Sequence, residues 1–168
     1  AREEIYQVEE YRPGKEKEIK FLVGTAEPSL LSYHAGETLK EIDLPVQLCG
    51  ISPCYRREVG GYGKDTRGIY RIHEFMKVEQ VVLCRNDLKE SEKRFLDMNQ
   101  NAREFLEELE LPYRVIQIAT GDMGAGKYKM YDIETWMPAR NGYGETHSNS
   151  NLTDWQSRRL NIRYQDKT

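Results

Sequence analysis

Apolar positions along this chain come in short runs, several of them alternating with polar residues, and they predict more strands than helices. The segment Lys17–Val23 (KEIKFLV) ends in an apolar run and predicts a strand. Gly24 leads into TAEPSLLSYHAG, where Pro28 suits a first helical turn and Gly36 a helix stop. Val46–Ile51 is a second apolar run. Residues 52–58 and 70–84 read as two strands around a loop, EVGGYGKDTRG, rich in glycine and charge. The clearest helix is Asn86–Glu110. Leu88, Phe95, Met98, Ala102, Phe105 and Leu109 fall on one stripe, and Asp87 with Glu90 resembles a capping box. Leu111-Pro112 ends it. Strands are expected at 113–119 (YRVIQIA), 128–137 (YKMYDIETWM) and 142–148, and DWQSRRLNIRY reads as helical. The fold class is therefore α+β, a mainly antiparallel β-sheet flanked by helices.

Length and composition narrow this picture without changing it. The chain has 168 residues, enough for a single domain over 1–168 with its own core. With 38% apolar and 32% charged residues it has the balance of a globular protein in water. No apolar run approaches the ~20 residues that cross a membrane. The opening AREEIYQVEE has neither the basic start nor the apolar stretch of a signal peptide, so a cytoplasmic location is expected. Three cysteines, Cys49, Cys54 and Cys84, cannot all pair within one chain and show no C-x-x-C spacing. They read as reduced structural residues.

Net charge is −3, which does not advertise a polyanion-binding domain. The charge is uneven, however. Residues 52–85 carry seven basic against four acidic side chains, and residues 86–111 carry four against eight. A basic stretch inside an acidic chain suits a small anionic ligand. One candidate phosphate loop fails on inspection. Gly121–Lys127 (GDMGAGK) follows a strand as a P-loop should, but Tyr128 stands where Ser or Thr would hold magnesium, and YKMYDIETWM alternates like a strand. It reads as a glycine-rich turn.

The stretch Cys54–Gln80 carries the chemistry. On a strand alternate residues share a face, which puts Arg71, His73, Phe75, Lys77 and Glu79 together, and likewise Arg56 with Glu58. Ile72, Met76 and Val78 point to the other side. A face of Arg, Phe, Lys and Glu suits a nucleotide and an amine: an aromatic ring stacks on a purine, Arg neutralises phosphate, and Glu holds ammonium. The plainer alternative is a solvated hairpin laced with cross-strand ion pairs of roughly 0.2–1 kcal/mol each.

The order R-x-E, glycine-rich loop, R-x-H-x-F-x-K-x-E resembles motif 2 of class II aminoacyl-tRNA synthetases, in the seryl form. GTAEPSLLSYH resembles that family's serine-binding loop, and YDIETWMPARNGYGETHSNSNLTDWQSRR the segment before its motif 3. The resemblance covers nearly the whole chain and implies part of the class II catalytic fold. It implies ATP-dependent activation of L-serine to seryl-adenylate and transfer of serine to tRNA(Ser), with ATP as substrate and Mg2+ beside it. Thr25, Ala26 and Glu27 would lie against serine, and Glu79 would bind it. Arg56 would contact the α-phosphate and serine. With Arg57 and Glu58 it would anchor ATP, with Arg71 facing the phosphates. Ile72 would offer backbone to the nucleotide and Phe75 would stack on adenine. Glu145 and Ser148, with Thr146 and His147 between them, would meet ATP, and Glu145 and Ser148 would hold the magnesium. His73 and His147 are expected to support the sheet and not to catalyse, and Lys77 to be either a structural partner of a carboxylate or a site residue.

The same resemblance implies a homodimer and parts outside these residues: an N-terminal tRNA-binding arm, motif 1, and motif 3. This segment alone is therefore expected to be inactive. Two other readings compete. Ligases that load amino acids onto carrier proteins resemble seryl enzymes but use a zinc pocket, whereas here TAE is intact and no cysteine follows Cys84. A non-catalytic paralogue would not need the full set Arg56, Glu58, Phe75, Glu79 and Glu145.

Overall fold

A computed structural model of the protein describes residues 4–10, 13–14, 16–59 and 68–166. The chain gathers into two compact units, Ala1–Leu30 with Leu48–Val81, and Leu31–Gln47 with Val82–Thr168.

The first unit begins with a hairpin that the hydropathy pattern does not announce. β1 (Gln7–Glu10) pairs antiparallel with β2 (Glu18–Phe21), Gln7 opposite Phe21 and Glu10 opposite Glu18. Its sequence, QVEE, offers no apolar alternation, because both faces are largely exposed and backbone pairing holds the strand. Lys17 to Glu9 at 3.1 Å and Lys20 to Glu10 at 2.5 Å lace it together, exposed ion pairs that add little each. β2 is shorter than the expected Lys17–Val23, yet the chain beyond it stays pinned. Leu22 N–H donates to the Tyr6 carbonyl at 3.0 Å and Tyr55 N–H to the Val23 carbonyl at 2.8 Å. Gly24 and Thr25 are thereby delivered beside the end of β4 (Val46–Tyr55).

β4 joins two segments that the sequence pattern separates, because Ser52 and Pro53 continue the extended backbone. α1 (Glu27–Ser32) follows Thr25 and takes Pro28 into its first turn, as expected. Gly50 on β4 lets Leu30 of α1 lie against the strand, since a Cβ there would come 3.1 Å from Leu30 Cδ2. β5 (Glu74–Leu83) pairs with β4 and starts at Glu74, not at residue 70. Residues 60–67 of the glycine-rich loop lie outside the described residues. On β5 each face mixes apolar and polar residues, and Val81 is buried on the sheltered one. Phe75, Lys77 and Glu79 are sheltered, while Met76 is 66% and Val78 61% exposed, as is Ile51 of β4 at 72%.

The second unit holds the three-stranded antiparallel sheet β6 (Tyr113–Gln117), β7 (Lys129–Met137) and β8 (Gly142–Asn151). α2 (Leu88–Glu108) packs on it. The helix start is as read: Glu90 N–H donates to Asp87 Oδ1 at 2.8 Å. The stripe is as read only in part. Phe95 is buried and Met98 and Ala102 are half-buried, but Leu88, Phe105 and Leu109 are exposed, and Asn99 and Leu106 complete the buried line. Phe95 meets the Tyr131 ring edge at 4.8 Å, and its carbonyl accepts from Asn149 Nδ2 at 2.7 Å.

The expected helix over DWQSRRLNIRY is only α3 (Trp155–Leu160). Asn161 takes φ 52° and ends it, and the chain returns as β9 (Arg163–Gln165), parallel to β3 (Thr38–Lys40). That pair is parallel, whereas β1–β2, β6–β7 and β7–β8 are antiparallel, in a fold that is α+β as expected. GDMGAGK is a turn followed by strand β7, not a phosphate loop before a helix. Gly126 there has φ 84°, and a Cβ would stand 2.4 Å from the Trp155 ring, so glycine is required.

Candidate active site

In the first unit the end of β4, the bend before β5 and the loop after β2 converge. Arg56 is held from three sides. Its N–H donates to the His73 carbonyl at 3.0 Å, its Nε–H donates to the Gly24 carbonyl at 3.1 Å, and its guanidinium lies over Phe75, 5.1 Å from the ring centre. A cation over an aromatic face contributes about 0.5–2 kcal/mol, according to how dry the site is. His73 supports this arrangement through Nδ1, 3.1 Å from the Arg56 carbonyl oxygen, the structural part expected of it.

Arg56, Glu58, Arg71, Val59 and Glu4 line a cavity of about 380 Å³. Glu58 has φ 51° and forms an ion pair with Arg71. Arg71 and His73 do not belong to β5; both sit in the bend before it, so strand alternation is not what places them. Arg71 reaches the cavity because the bend turns it there. Glu4 was invisible to pattern, since nothing in AREEIYQVEE marks its fourth residue; the Arg57 N–H to Glu4 carbonyl bond of 2.9 Å brings it in. Arg57 itself is exposed and outside the cavity lining, and Ile72 is an exposed loop residue.

Beside this lies a second cluster on the sheltered face of β5. Thr25 Oγ1 donates to Glu79 Oε2 at 2.7 Å, Lys77 Nζ donates to Thr25 Oγ1 at 2.8 Å, and Lys77 stands 2.5 Å from Glu79 Oε2. Ala26 is buried, with its carbonyl accepting from Leu30 N–H at 2.9 Å, and Glu27 opens α1. One end of this surface can take phosphate and a purine, the other an ammonium or hydroxyl.

The second unit carries Glu145–Ser148 on β8. In a regular strand Glu145 and Ser148, an odd number of positions apart, would face opposite ways. A β-bulge corrects this: Glu134 pairs with Glu145 and Ile133 with His147, leaving Thr146 as the extra residue. Glu145 and Ser148 consequently share a face with Glu134 and Asp132, their partners on β7. Arg114 neutralises Glu134 through contacts of 2.7 and 2.6 Å. Asp132 is a candidate for that face that the sequence pattern does not offer. Burial pushes its carboxyl up, the Ser148 hydrogen bond and Lys127 pull it back, and its Oδ1 is buried with no partner among the described residues. Two carboxylates and a hydroxyl on one face are the hard oxygen donors that magnesium prefers.

Thr146 and His147 are not brought to that face. Thr146 Oγ1 lies 2.7 Å from Thr135 Oγ1 and 2.9 Å from His147 Nδ1. Burial lowers the His147 pKa. With the folded value depressed, the neutral ring's contribution to stability is complete above about pH 6.5 and is lost as pH falls through the folded pKa. The fall in melting temperature on acidification below pH 6.5 is therefore expected to be shallower in His147→Gln than in the parent; parallel curves would contradict it. Of the cysteines, Cys54 is fully buried, Cys84 has its thiol pushed up by burial and by Glu90, and none is paired.

The family model for the tRNA synthetase class II core domain (G, H, P, S and T) matches residues 6–168. The chain is 56% identical over 146 residues to the serine–tRNA ligase of Deinococcus radiodurans, covering 87% of this chain and 34% of the relative. It is 49% identical over 164 residues to the Pyrococcus horikoshii enzyme, covering 98% and 34%. The chain thus spans about a third of the length of these relatives. Among solved structures, seryl-tRNA synthetase from Pyrococcus horikoshii complexed with ATP superposes with a TM-score of 0.86 at 46% identity, over 99% of this chain and 35% of that one. The Naegleria fowleri cytoplasmic enzyme in complex with AMP gives 0.88 at 38% identity, over 99% and 38%.

Proposed function

The chain belongs to the class II tRNA synthetase core family, and we propose on that premise that its protein activates L-serine with ATP and transfers the serine to tRNA(Ser). The observation that carries this is the sheltered face of β5, where Phe75 carries the Arg56 guanidinium and Lys77 and Glu79 both bond to Thr25. A relative named serine–tRNA ligase, and seryl-tRNA synthetase structures in complex with ATP and with AMP, support serine and ATP as the substrates here.

The serine carboxylate is already ionised near neutral pH, so its attack needs no general base. One carboxylate oxygen bonds to the α-phosphorus of ATP while the bond to the bridging oxygen breaks and pyrophosphate departs with the electron pair. Arg56, fixed by Gly24 and Phe75, neutralises charge at the α-phosphate, and Glu58 holds Arg71 beside it. Arg57 and the Ile72 backbone complete the nucleotide contacts, and Phe75 supports the adenine. Thr25, Ala26, Glu27 and Glu79 receive serine, with Glu27 and Glu79 the two carboxylates for its ammonium and hydroxyl. Glu145 and Ser148 fit a magnesium ion, which supplies further neutralisation of the phosphates when bound. Catalysis then rests on alignment and electrostatics. In the second step a terminal ribose hydroxyl of tRNA attacks the seryl carbonyl carbon and AMP leaves. A cytoplasmic homodimer is the assembly proposed.

Glu79→Ala in the full-length protein tests the amino-acid end. Loss of a charged hydrogen bond is expected to raise the serine KM about 10–100-fold, with the ATP KM little changed. An unaltered serine KM would contradict the assignment.

A further inference from the structure

The triangle of Thr25, Lys77 and Glu79 contains a group with no role so far. An ammonium has donors and no acceptor, and a threonine hydroxyl has one proton. Lys77 Nζ donates to Thr25 Oγ1 at 2.8 Å, so Thr25 must direct its single proton elsewhere, and it lies 2.7 Å from Glu79 Oε2. Lys77 also contacts that same oxygen, at 2.5 Å. The hydrogen-bond directions in the triangle therefore have one solution. What Thr25 and Glu79 can still offer is acceptor capacity alone: a remaining lone pair on Oγ1, and Oε1 of the carboxylate.

We propose that Lys77 is a positioning residue that sets the hydrogen-bond polarity of the amino-acid pocket, holding Thr25 as an acceptor and Glu79 Oε2 in place so that the pocket selects a ligand bearing donors. This rests on the serine-activation reading. Serine presents donors in its ammonium and its hydroxyl; alanine has the first and lacks the second. A site whose polar groups are committed to a hydroxyl rejects the analogue without it, because those groups are then left unpaired. A simple ion pair would not account for the arrangement. Lys77 and Glu79 could pair along one strand without Thr25, whereas here the lysine also ties the loop before α1 to β5, across 52 positions of sequence.

Lys77→Met, Lys77→Arg and Thr25→Val in the full-length protein test this by amino-acid-dependent exchange of pyrophosphate into ATP, with melting temperatures in parallel. Lys77→Met is expected to raise the serine KM about 10-fold or more and to narrow the preference for serine over alanine, with the ATP KM within about 2-fold. Arginine is also a donor without acceptors, so Lys77→Arg recovers part of the loss. Thr25→Val, which keeps the ion pair and removes the hydroxyl, gives the same serine-specific effect and guards against misfolding of the lysine variant. An unchanged serine KM and serine-to-alanine ratio in Lys77→Met would overturn the proposal. So would serine and ATP KM rising together with a lowered melting temperature, the mark of a merely structural lysine. A parent without serine-dependent exchange would sink the functional reading itself, and this proposal with it.

Discussion

Arg56→Ala is expected to slow serine-dependent adenylate formation on the order of 100–1000-fold, measured as pyrophosphate exchange by the full-length protein. The size follows from how the side chain is held. Its backbone is bonded to His73, its Nε to the Gly24 carbonyl, and its guanidinium lies on Phe75. A charge fixed before the reaction costs no reorganisation when negative charge develops at the α-phosphate. Removal should therefore depress kcat more than it raises either KM. Arg56→Lys keeps the charge but loses the planar fork and its stacking on the ring, so it should recover only part of the rate. A rate within about 3-fold of the parent in a folded Arg56→Ala protein would contradict the role given to Arg56.

The largest stability effect is expected in the second unit. Phe95 is 1% exposed, meets Tyr131 edge-on at 4.8 Å and carries Lys129 Nζ over its ring at 5.3 Å. Phe95→Ala leaves a cavity between α2 and the sheet and is expected to cost about 3–5 kcal/mol, read from urea denaturation of parent and variant side by side. Against a total of about 5–15 kcal/mol that is a large share. A loss below about 1 kcal/mol would mean that the helix does not pack as described. Phe105, on the stripe read from sequence, is exposed, and its removal should cost far less.

Those two phenylalanines show where sequence reading succeeds and where it stops. The start of α2 was legible because capping is local: Asp87 and Glu90 sit three positions apart and bond as expected. The buried stripe is legible only in part: Phe95 lies on it, but it runs on through Asn99, 5% exposed, and apolar periodicity passes over an asparagine. β1 escaped for a related reason, a strand held by backbone pairing with no apolar face to signal it. The last four residues of β8, SNSN, are equally polar, and Asn149 and Asn151 earn their places through hydrogen bonds to α2.

The same division runs through the site. Lys77, Glu79 and Phe75 were placed correctly by strand alternation, since they lie within β5. Arg71 was placed by alternation although it lies in a bend, and only folding brings it to the cavity beside Glu58. Glu145 and Ser148 share a face only because of a bulge at Thr146, which spacing alone cannot reveal; Asp132 comes to light through the same register. The pairing of Thr25 with Glu79 joins residues 54 positions apart.

Serine-dependent exchange of pyrophosphate into ATP, run on the full-length protein with serine, alanine and threonine in turn, tests the central claim most directly. Exchange with serine far above that with either other amino acid is the expected result. Equal exchange with alanine or threonine, or none with serine, would contradict it.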